Sequence, residues 1–481
     1  MGINFSTYSF LKNVTGYVTG KVTGKKRRHS ESDEEQNDKV VDVVLHTPKR
    51  KKLESTANYI YQALFVTGTN SDVTVRALGE EFRLHKVYLS QSPYFASMFG
   101  GSWLETTKKY ITIDIVDPTI TQSSLKVVLG SLYNFEISLN PKEIIPILAT
   151  ATMFQLDGLI DKCAEVMQET INPKTALDYY NAASQYSNKK VRDVCFKWFL
   201  MNLMTYYHNK SLSELRTIPI SLLSKLVAHP DLVVIQTDYS VYVMLKFWVY
   251  LQLFPESNVP SLKTVNEYFS SRPGRVSFLR SSDGKQFNSA FRGLRLRNMF
   301  THQFDVQILK RDNIIPHTQL DSVLASLWTT ILRVNQNKDK GPNEFPREMF
   351  LASSMRCGMV LPVKEKQCWR WTGFHFGIDL VMISEGSNIS IKRNNRTELD
   401  RQLLSLQTTR HIAIRLTVIK LNEQRQIVYT KQTDIMKVSL TKGEEIQIMS
   451  LDDNIDRPII ISANILFTSP NTEEIPADEM R

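Results

Sequence analysis

Alternating and helical patterns of apolar residues divide the chain into successive regions. Strand-like alternation first appears in "SDVTVRAL", where Val73 and Val75 share one face, and it recurs in "YITIDIV". Between them, "EEFRLHKVYLS" predicts a second strand that turns into a helix. Three segments with helical spacing follow: "QSSLKVVLGSLYN", "PKEIIPILATATMFQL" and "LIDKCAEVMQETI". Residues 56–170 are therefore predicted to form a small mixed sheet covered by helices.

Helical spacing then takes over. "NPKTALDYYNAASQY" predicts a helix that is capped by Asn172 and has Pro173 at its first position. "KVRDVCFKWFLMNL" and "DYSVYVMLKFWVYLQLF" repeat apolar residues every three or four positions. We expect an all-helical region over residues 171–260, followed by an Arg-rich connector with helices over residues 261–344.

In the last third of the chain, apolar residues again recur at every second position. "WRWTGFHFGIDL" alternates Trp369 with Trp371 and slips at Thr372-Gly373, which predicts a β-bulge. "HIAIRLTVIKL", "EEIQIMSL" and "PIIISANILF" add further strands. Residues 345–481 are therefore predicted to form an antiparallel β-sandwich. The predicted fold class is multi-domain α+β.

Residues 1–55 follow neither period. "VTGYVTGKVTGK" repeats every four residues, and "KKRRHSESDEEQNDK" is charged and poor in aromatic residues, so a disordered tail is expected. "GYVTGK" has three residues between its glycines where a phosphate-binding loop needs four. Two basic clusters resemble a bipartite nuclear import signal or, alternatively, form a solvated charge run: Lys25, Lys26, Arg27 and Arg28, then Lys49, Arg50, Lys51 and Lys52.

Two modification signals lie in the same tail. "MGINFS" matches the N-myristoylation pattern, with Gly2 as the acceptor and Ser6 at the matching hydroxyl position. One acyl chain binds membranes weakly, and the basic clusters could provide the second signal that stable anchoring needs. Thr47 precedes a proline next to the second cluster, where a phosphate would neutralise part of its charge.

Charge and cysteine content narrow the functional classes. The net charge of +10 arises from residues 1–57 and 263–311, because the other residues balance. Such local patches argue against wholesale nucleic-acid binding. The cysteines show no disulfide or zinc spacing, no apolar run is long enough to span a membrane, and no catalytic motif is present. We expect no metal, no cofactor and no catalytic residue.

The first region resembles a known domain family. The strand pair followed by "LHKVYLSQSPYFASMF" is similar to the BTB/POZ domain, and "LSKLVAHPDLVVIQTDYSVYVMLKFWV" resembles the BACK region that follows it in many ubiquitin-ligase adaptors. A kelch propeller usually comes next, but this chain has a single β-rich domain instead. This domain order resembles the germ cell-less family. The residues that match the BTB pattern are Asp72, His85, Lys86, Leu89, Ser92, Tyr94, Phe95 and Phe99.

The resemblance implies a non-catalytic adaptor that recruits a protein client to a Cullin-3 RING ubiquitin ligase. BTB adaptors of this type carry a hydrophobic-x-Glu motif after the helix, and Trp103, Leu104 and Glu105 match it. A Trp in such a loop can bury ~150–250 Å² at an interface. The alternative for this motif is that Trp103 packs on its own domain and Glu105 is solvated. The alternative interpretation is a nuclear-envelope scaffold or transcriptional regulator that uses its BTB domain only to form a homodimer.

The family association also implies a role in germ-cell formation and a location in the nucleus and at the nuclear envelope. Acylation of Gly2, if it occurs, would instead place the protein at the plasma membrane. Arg370 and His375, near the predicted bulge, are candidate client-binding residues, although the favoured interpretation of Arg370 is a solvated strand residue. The Arg-rich stretch 272–298 could bind RNA or an acidic peptide, but we favour a segment packed between domains.

Overall fold

The computed structural model describes ten stretches of the chain, and the described residues belong to one compact unit. These stretches are 56–100, 108–134, 137–256, 258–272, 276–300, 303–335, 341–374, 378–394, 409–452 and 454–469.

The first region is built on a three-stranded sheet in the order β2–β1–β3. Strand β1 (Val73–Ala77) pairs antiparallel with β2 (Glu80–Leu84) and parallel with β3 (Tyr110–Ile113). The predicted mixed sheet is thus confirmed. Helices pack on its apolar side: α1 (Thr56–Ile60), α2 (Lys86–Leu89), α3 (Pro93–Gly100), α4 (Gln122–Ser131), α5 (Ile144–Met153) and α6 (Asp157–Thr170), with a π-helical turn at Tyr61–Val66.

The second region is helical, as predicted. Its helix α7 begins at Ala176, however, and not at the predicted cap Asn172. The Asn172 side chain accepts the Lys174 backbone N–H at 2.9 Å, so it closes a turn before the helix. The helices are α7 (Ala176–Gln185), α8 (Lys189–Asn202), α9 (Leu212–Leu215), α10 (Ile220–Ala228) and α11 (Asp238–Leu253), with a π-helical segment at Leu203–Tyr207.

Helix α11 is buried along most of its length. Its Lys246 is 2% exposed and donates hydrogen bonds of 2.6 Å to both Asp312 and Asn266. Tyr242 also donates to Asp312, at 2.9 Å. Burial lowers the pKa of Lys246, against the opposing effect of Asp312. Among the described helices, none is long and apolar enough to cross a membrane.

The Arg-rich stretch packs into the structure, as favoured from the sequence. Phe278, Phe287 and Phe291 are buried, and the Arg272 guanidinium lies 4.9 Å from the Phe278 ring. These rings are therefore not available for stacking on nucleic-acid bases. The helices of this part are α12 (Leu262–Ser270), α13 (Asn288–Phe291), α14 (Gln303–Asp312), α15 (His317–Asn335) and α16 (Arg347–Ser353), and short 3₁₀ turns lie at Phe278–Arg280, Lys285–Phe287 and Leu296–Asn298.

Two antiparallel sheets form the C-terminal region. The larger has the order β10–β9–β13–β5–β4, with β11 also pairing with β9, and the smaller has the order β12–β8–β7–β6. The register shift between Trp371 and Phe374 confirms the predicted bulge. The strands are β4 (Gln236–Thr237), β5 (Met355–Leu361), β6 (Gln367–Phe374), β7 (Ile378–Glu385), β8 (Asn388–Arg393), β9 (Thr409–Leu421), β10 (Ile427–Gln432), β11 (Met436–Thr441), β12 (Glu445–Ser450) and β13 (Ile459–Thr468).

The larger sheet is buried on both faces. On β9, Ile414, Leu416 and Val418 pack in the core between the two sheets. Ile419 instead belongs to the core shared with the helices, as does Ile460 of β13. The predicted alternation on β9 is confirmed, but the sequence did not show that its other face is covered too. The multi-domain α+β fold class is likewise confirmed.

Strand β4 connects the helical region directly to the larger sheet. It comes just before α11 in the helical region, yet it pairs with β5 through Gln236–Gly358 and Thr237–Cys357. The packing there is close, because a Cβ added at Gly358 would lie 2.3 Å from the Val234 carbonyl oxygen. This contact requires glycine at position 358.

Candidate functional site

The surface around α3 is held rigidly by the turn that follows α5. Ser92, just before α3, donates from its hydroxyl to the Phe154 carbonyl at 2.6 Å. Phe95 is fully buried and stacks on the Phe154 ring with centroids 5.0 Å apart. Tyr94 meets the same ring edge-on at 5.5 Å. Helix α3 therefore has a fixed position on the first domain.

Both ends of the connection from α3 to β3 are anchored. Near the end of α3, Phe99 stacks on Phe95 at 6.0 Å, and the Lys86 ammonium lies 5.3 Å from the Phe99 ring. On the other side, the Lys109 carbonyl accepts the Thr74 N–H at 2.7 Å. The candidate cullin-binding residues Trp103, Leu104 and Glu105 belong to this connection and lie outside the described residues.

The first domain also exposes apolar side chains. In the segment "NYIYQALF" and the residue after it, Phe65 is buried within the chain, whereas Tyr59 and Val66 are 65% and 54% exposed. Val87 and Tyr110 are more exposed still, at 75% and 73%. Single exposed apolar side chains are ordinary, so they indicate a protein–protein contact only where they lie close together.

His85 is held by hydrogen bonds on both ring nitrogens. Nδ1 is 3.1 Å from the Tyr133 hydroxyl, and Nε2 is 2.9 Å from the Thr69 carbonyl. Asp72 accepts the Lys86 backbone N–H at 2.8 Å, which fixes the start of α2. Burial raises the pKa of Tyr133 to about 12, so its hydroxyl stays protonated. This geometry gives His85 and Asp72 structural roles.

The candidate client-binding residues on β6 are only partly described. Trp369 packs on the core between the sheets, so Arg370 points to the opposite side of the strand, where it is half-buried. Arg370 pairs in register with Val381 of β7. His375 lies outside the described residues, and the client-binding role of both residues stays a prediction.

The signals predicted for the N-terminal tail also fall outside the described residues. They comprise the acyl acceptor, the phosphosite and the basic clusters: Gly2, Thr47, Lys25, Lys26, Arg27, Arg28, Lys49, Arg50, Lys51 and Lys52.

The buried thiols do not suit metal binding or nucleophilic chemistry. Cys163, Cys195 and Cys357 are buried and Cys368 is exposed. Burial raises the pKa of both Cys163 and Cys195 to about 12, which keeps these thiols protonated. Within the described stretches, no group of three or more His, Cys, Asp or Glu side chains could hold a metal ion.

A buried charged cluster joins the helical region to the larger sheet, and sequence analysis missed it. Arg356 of β5 and Asp238 of α11 are 1% and 0% exposed and form an ion pair at 2.7 Å. Arg356 also donates to the carbonyls of Val227 and His229, at 2.7 and 3.1 Å. Its backbone N–H donates to Asp238 at 2.9 Å. The pair is thus surrounded by hydrogen bonds that offset part of its desolvation.

A second arginine extends this cluster. Arg415 of β9 is 2.6 Å from Asp231 and 2.9 Å from the Asn464 side-chain oxygen. Arg295 donates to the carbonyls of Ser354 and Leu351, which closes the end of α16. The available signal was an arginine within an apolar strand, but the partners of Arg356 lie more than a hundred positions away in the sequence.

Comparison with known proteins agrees with this architecture. The BTB/POZ domain family model matches residues 61–171. The chain is 41% identical to Protein germ cell-less of Drosophila melanogaster over 92% of its own length and 83% of that protein. It is 39% identical to human Germ cell-less protein-like 2, with 92% and 85% covered. Human Germ cell-less protein-like 1 is 38% identical, with 89% and 84% covered.

Proposed function

Because the chain belongs to the germ cell-less family and carries a BTB/POZ domain, we propose that it is a client-recruiting adaptor of a Cullin-3 RING ubiquitin ligase. The BTB domain forms the homodimer and binds the cullin, and the β-rich region captures the client. The chain performs no chemistry of its own. It holds a client lysine near the ubiquitin-loaded enzyme and so raises the effective concentration of the reacting groups.

The observation that carries the proposal is the anchored connection between α3 and β3. Its hydrophobic-x-Glu sequence stands between a helix that is fixed by aromatic stacking and a strand that is fixed in the sheet. Trp103 provides the apolar anchor, and the Glu105 carboxylate sets the orientation of the partner.

The test is the affinity of the intact chain for the N-terminal domain of Cullin-3, measured by calorimetry. Replacing Trp103 by Ala and Glu105 by Lys should weaken binding by at least about 30-fold, as expected for an interface hot spot. The proposal also requires that thermal unfolding change little, because side chains that bind a partner do not form the core of the domain. Lys126→Ala, an exposed change on α4, is the control and should bind like the parent.

Unchanged affinity of the double variant would sink the adaptor proposal. It would favour the alternative, a scaffold at the nuclear envelope whose BTB domain serves only to form dimers. Light scattering of the intact chain tests a prediction that both hypotheses share, because both require a dimer. A monomer would contradict both. The exposed Tyr59 and Val66 would be covered by the partner copy.

The tail and β6 have proposed roles of their own. Acylated Gly2 acts as a weak membrane anchor, and the basic clusters act in nuclear import and support anchoring. Gly2→Ala should move the protein from membrane to soluble fractions. Replacing the basic residues of both clusters with neutral residues should lower the fraction of the protein in the nucleus.

Arg370→Glu should weaken client capture while cullin binding is kept. A role in germ-cell formation follows from the family and is tested by loss of the gene product in that lineage.

A further inference from the structure

The turn between β9 and β10, residues 422–426, reaches the end of the BTB domain. Gln426 donates from its side-chain amide to the carbonyls of Glu169 and Ile171, at 2.8 and 2.9 Å. These carbonyls belong to the C-terminal end of α6, where a helix lacks partners of its own. Gln426 therefore caps the last helix of the first domain from 255 positions away.

The neighbouring Arg425 enters the end of α8. Its Nε is 3.0 Å from the Asn202 side-chain oxygen, and a terminal guanidinium nitrogen is 2.5 Å from the Thr205 hydroxyl. Asn202 donates back to the Arg425 carbonyl at 3.1 Å. Both partners are buried, at 0% and 4% exposure, and the guanidinium also lies 5.8 Å from the Tyr206 ring.

The backbone conformation of Arg425 suits glycine better than arginine. Its φ of 65° lies in the left-handed region, which is unfavourable for a residue with a Cβ. Asn422 closes the turn by accepting the Gln426 N–H at 2.8 Å. The guanidinium contacts with Asn202 and Thr205 offset the unfavourable backbone at position 425.

The partners of this turn lie at the joint between two regions. Helix α6 ends the BTB domain, whereas Asn202 and Thr205 mark the change from α8 to the π-helical segment. The β-rich region is already joined to the helical region by the buried Arg356–Asp238 pair. The turn adds a contact to the BTB side of the joint.

We propose that the β9–β10 turn is a latch that fixes the orientation of the BTB domain relative to the helical and β-rich regions, and that Arg425 is its main positioning residue. The consequence for ubiquitin transfer rests on the proposed function. If the BTB domain binds the cullin and the β-rich region binds the client, the latch sets the distance between them.

The test measures the distance between two spin labels in the intact chain by double electron–electron resonance. One label sits on the natural Cys368, which is exposed while the other three described cysteines are buried. The second sits on Lys126→Cys in α4. Excess unlabelled chain ensures that the measured distance lies within one protomer.

Arg425→Gly is the informative variant, because glycine suits the left-handed backbone and only the latch contacts are lost. We expect a broader distance distribution than in the parent. Amide exchange over residues 203–207 should become about tenfold faster, as for the loss of hydrogen bonds to buried partners. Gln424→Ala, an exposed change in the same turn, should match the parent.

An unchanged, narrow distribution in Arg425→Gly would overturn the proposal. If that variant fails to fold, Arg425→Lys and Gln426→Ala answer the question by the same measurement, since each removes part of the latch. The distance measurement does not depend on the cullin. A broad distribution in Arg425→Gly, together with Cullin-3 binding by the parent, supports both proposals. If the parent does not bind Cullin-3, only the adaptor function is contradicted.

Discussion

The β-rich region meets the rest of the chain at two junctions of different construction. At the sheet face, Arg356 and Asp238 form an ion pair that is almost fully buried and lies among apolar residues of both regions. At the β9–β10 turn, polar side chains of Arg425 and Gln426 reach helix ends from a partly exposed position. The first junction builds one rigid body, and the second adjusts how the BTB domain is attached to it.

This difference predicts unequal costs of disruption. A buried ion pair that loses one partner leaves an uncompensated charge in a low-dielectric environment. The hydrogen bonds that Gln426 makes are at most partly buried, so water can replace them and their loss costs far less. The two junctions should therefore separate clearly in stability measurements on single variants.

The largest effect is expected for Asp238→Ala. It leaves Arg356 buried without its counter-charge and should lower the free energy of unfolding by about 3–5 kcal/mol. Urea denaturation followed by circular dichroism measures this. The matched control is Asp161→Ala, which removes the partner of Lys190 in an exposed pair and should change stability little. Equal effects of the two variants would show that the sheet junction is not the rigid one.

A smaller loss of stability is expected at acidic pH. Burial lowers the pKa of His208, which follows the π-helical segment, from 6.5 to about 4. In the unfolded chain the imidazole takes up a proton below pH 6.5, whereas in the folded chain it does so only near pH 4. Stability that is present above pH 6.5 should therefore be lost as the pH falls toward 4, by about 2–3 kcal/mol.

His208→Phe isolates this contribution, since it keeps an aromatic ring beside Phe247 and cannot titrate. Thermal unfolding of parent and variant from pH 7 to pH 4 provides the comparison. The variant should lose less stability than the parent over that range. Parallel pH profiles would mean that the burial of His208 does not cause the loss of stability in acid.

The smallest effect is expected for Gln426→Ala. It removes two hydrogen bonds to the end of α6, so the free energy of unfolding should fall by about 1 kcal/mol. Amide exchange should quicken at the C-terminal end of α6 while the strands of the larger sheet keep their protection. A loss as large as that of Asp238→Ala would contradict the contrast between the junctions.

The sequence predicted what local periodicity encodes. Alternation located β1 and β9, and helical spacing located α11, because each buried face imposes its own period. The slip at Thr372-Gly373 also located the bulge in β6. These features depend on neighbours within a few positions, which the linear pattern contains.

Long-range polar contacts were beyond that pattern. Nothing around Arg425 indicates that it binds Asn202, and Asp238 looks like an ordinary first-turn acidic residue until Arg356 is placed beside it. The start of α7 was misplaced for a related reason, since Asn172 can cap a turn as readily as a helix. Candidate site residues came from motifs, and most of them lie outside the described residues.

The central claim is that the chain joins a cullin to a client as a dimer, and the mass of its complex with Cullin-3 tests that claim most directly. Sedimentation equilibrium of the intact chain, mixed with excess Cullin-3 N-terminal domain, should give a complex of two chains and two cullin domains. A dimer that sediments without bound cullin would contradict the account.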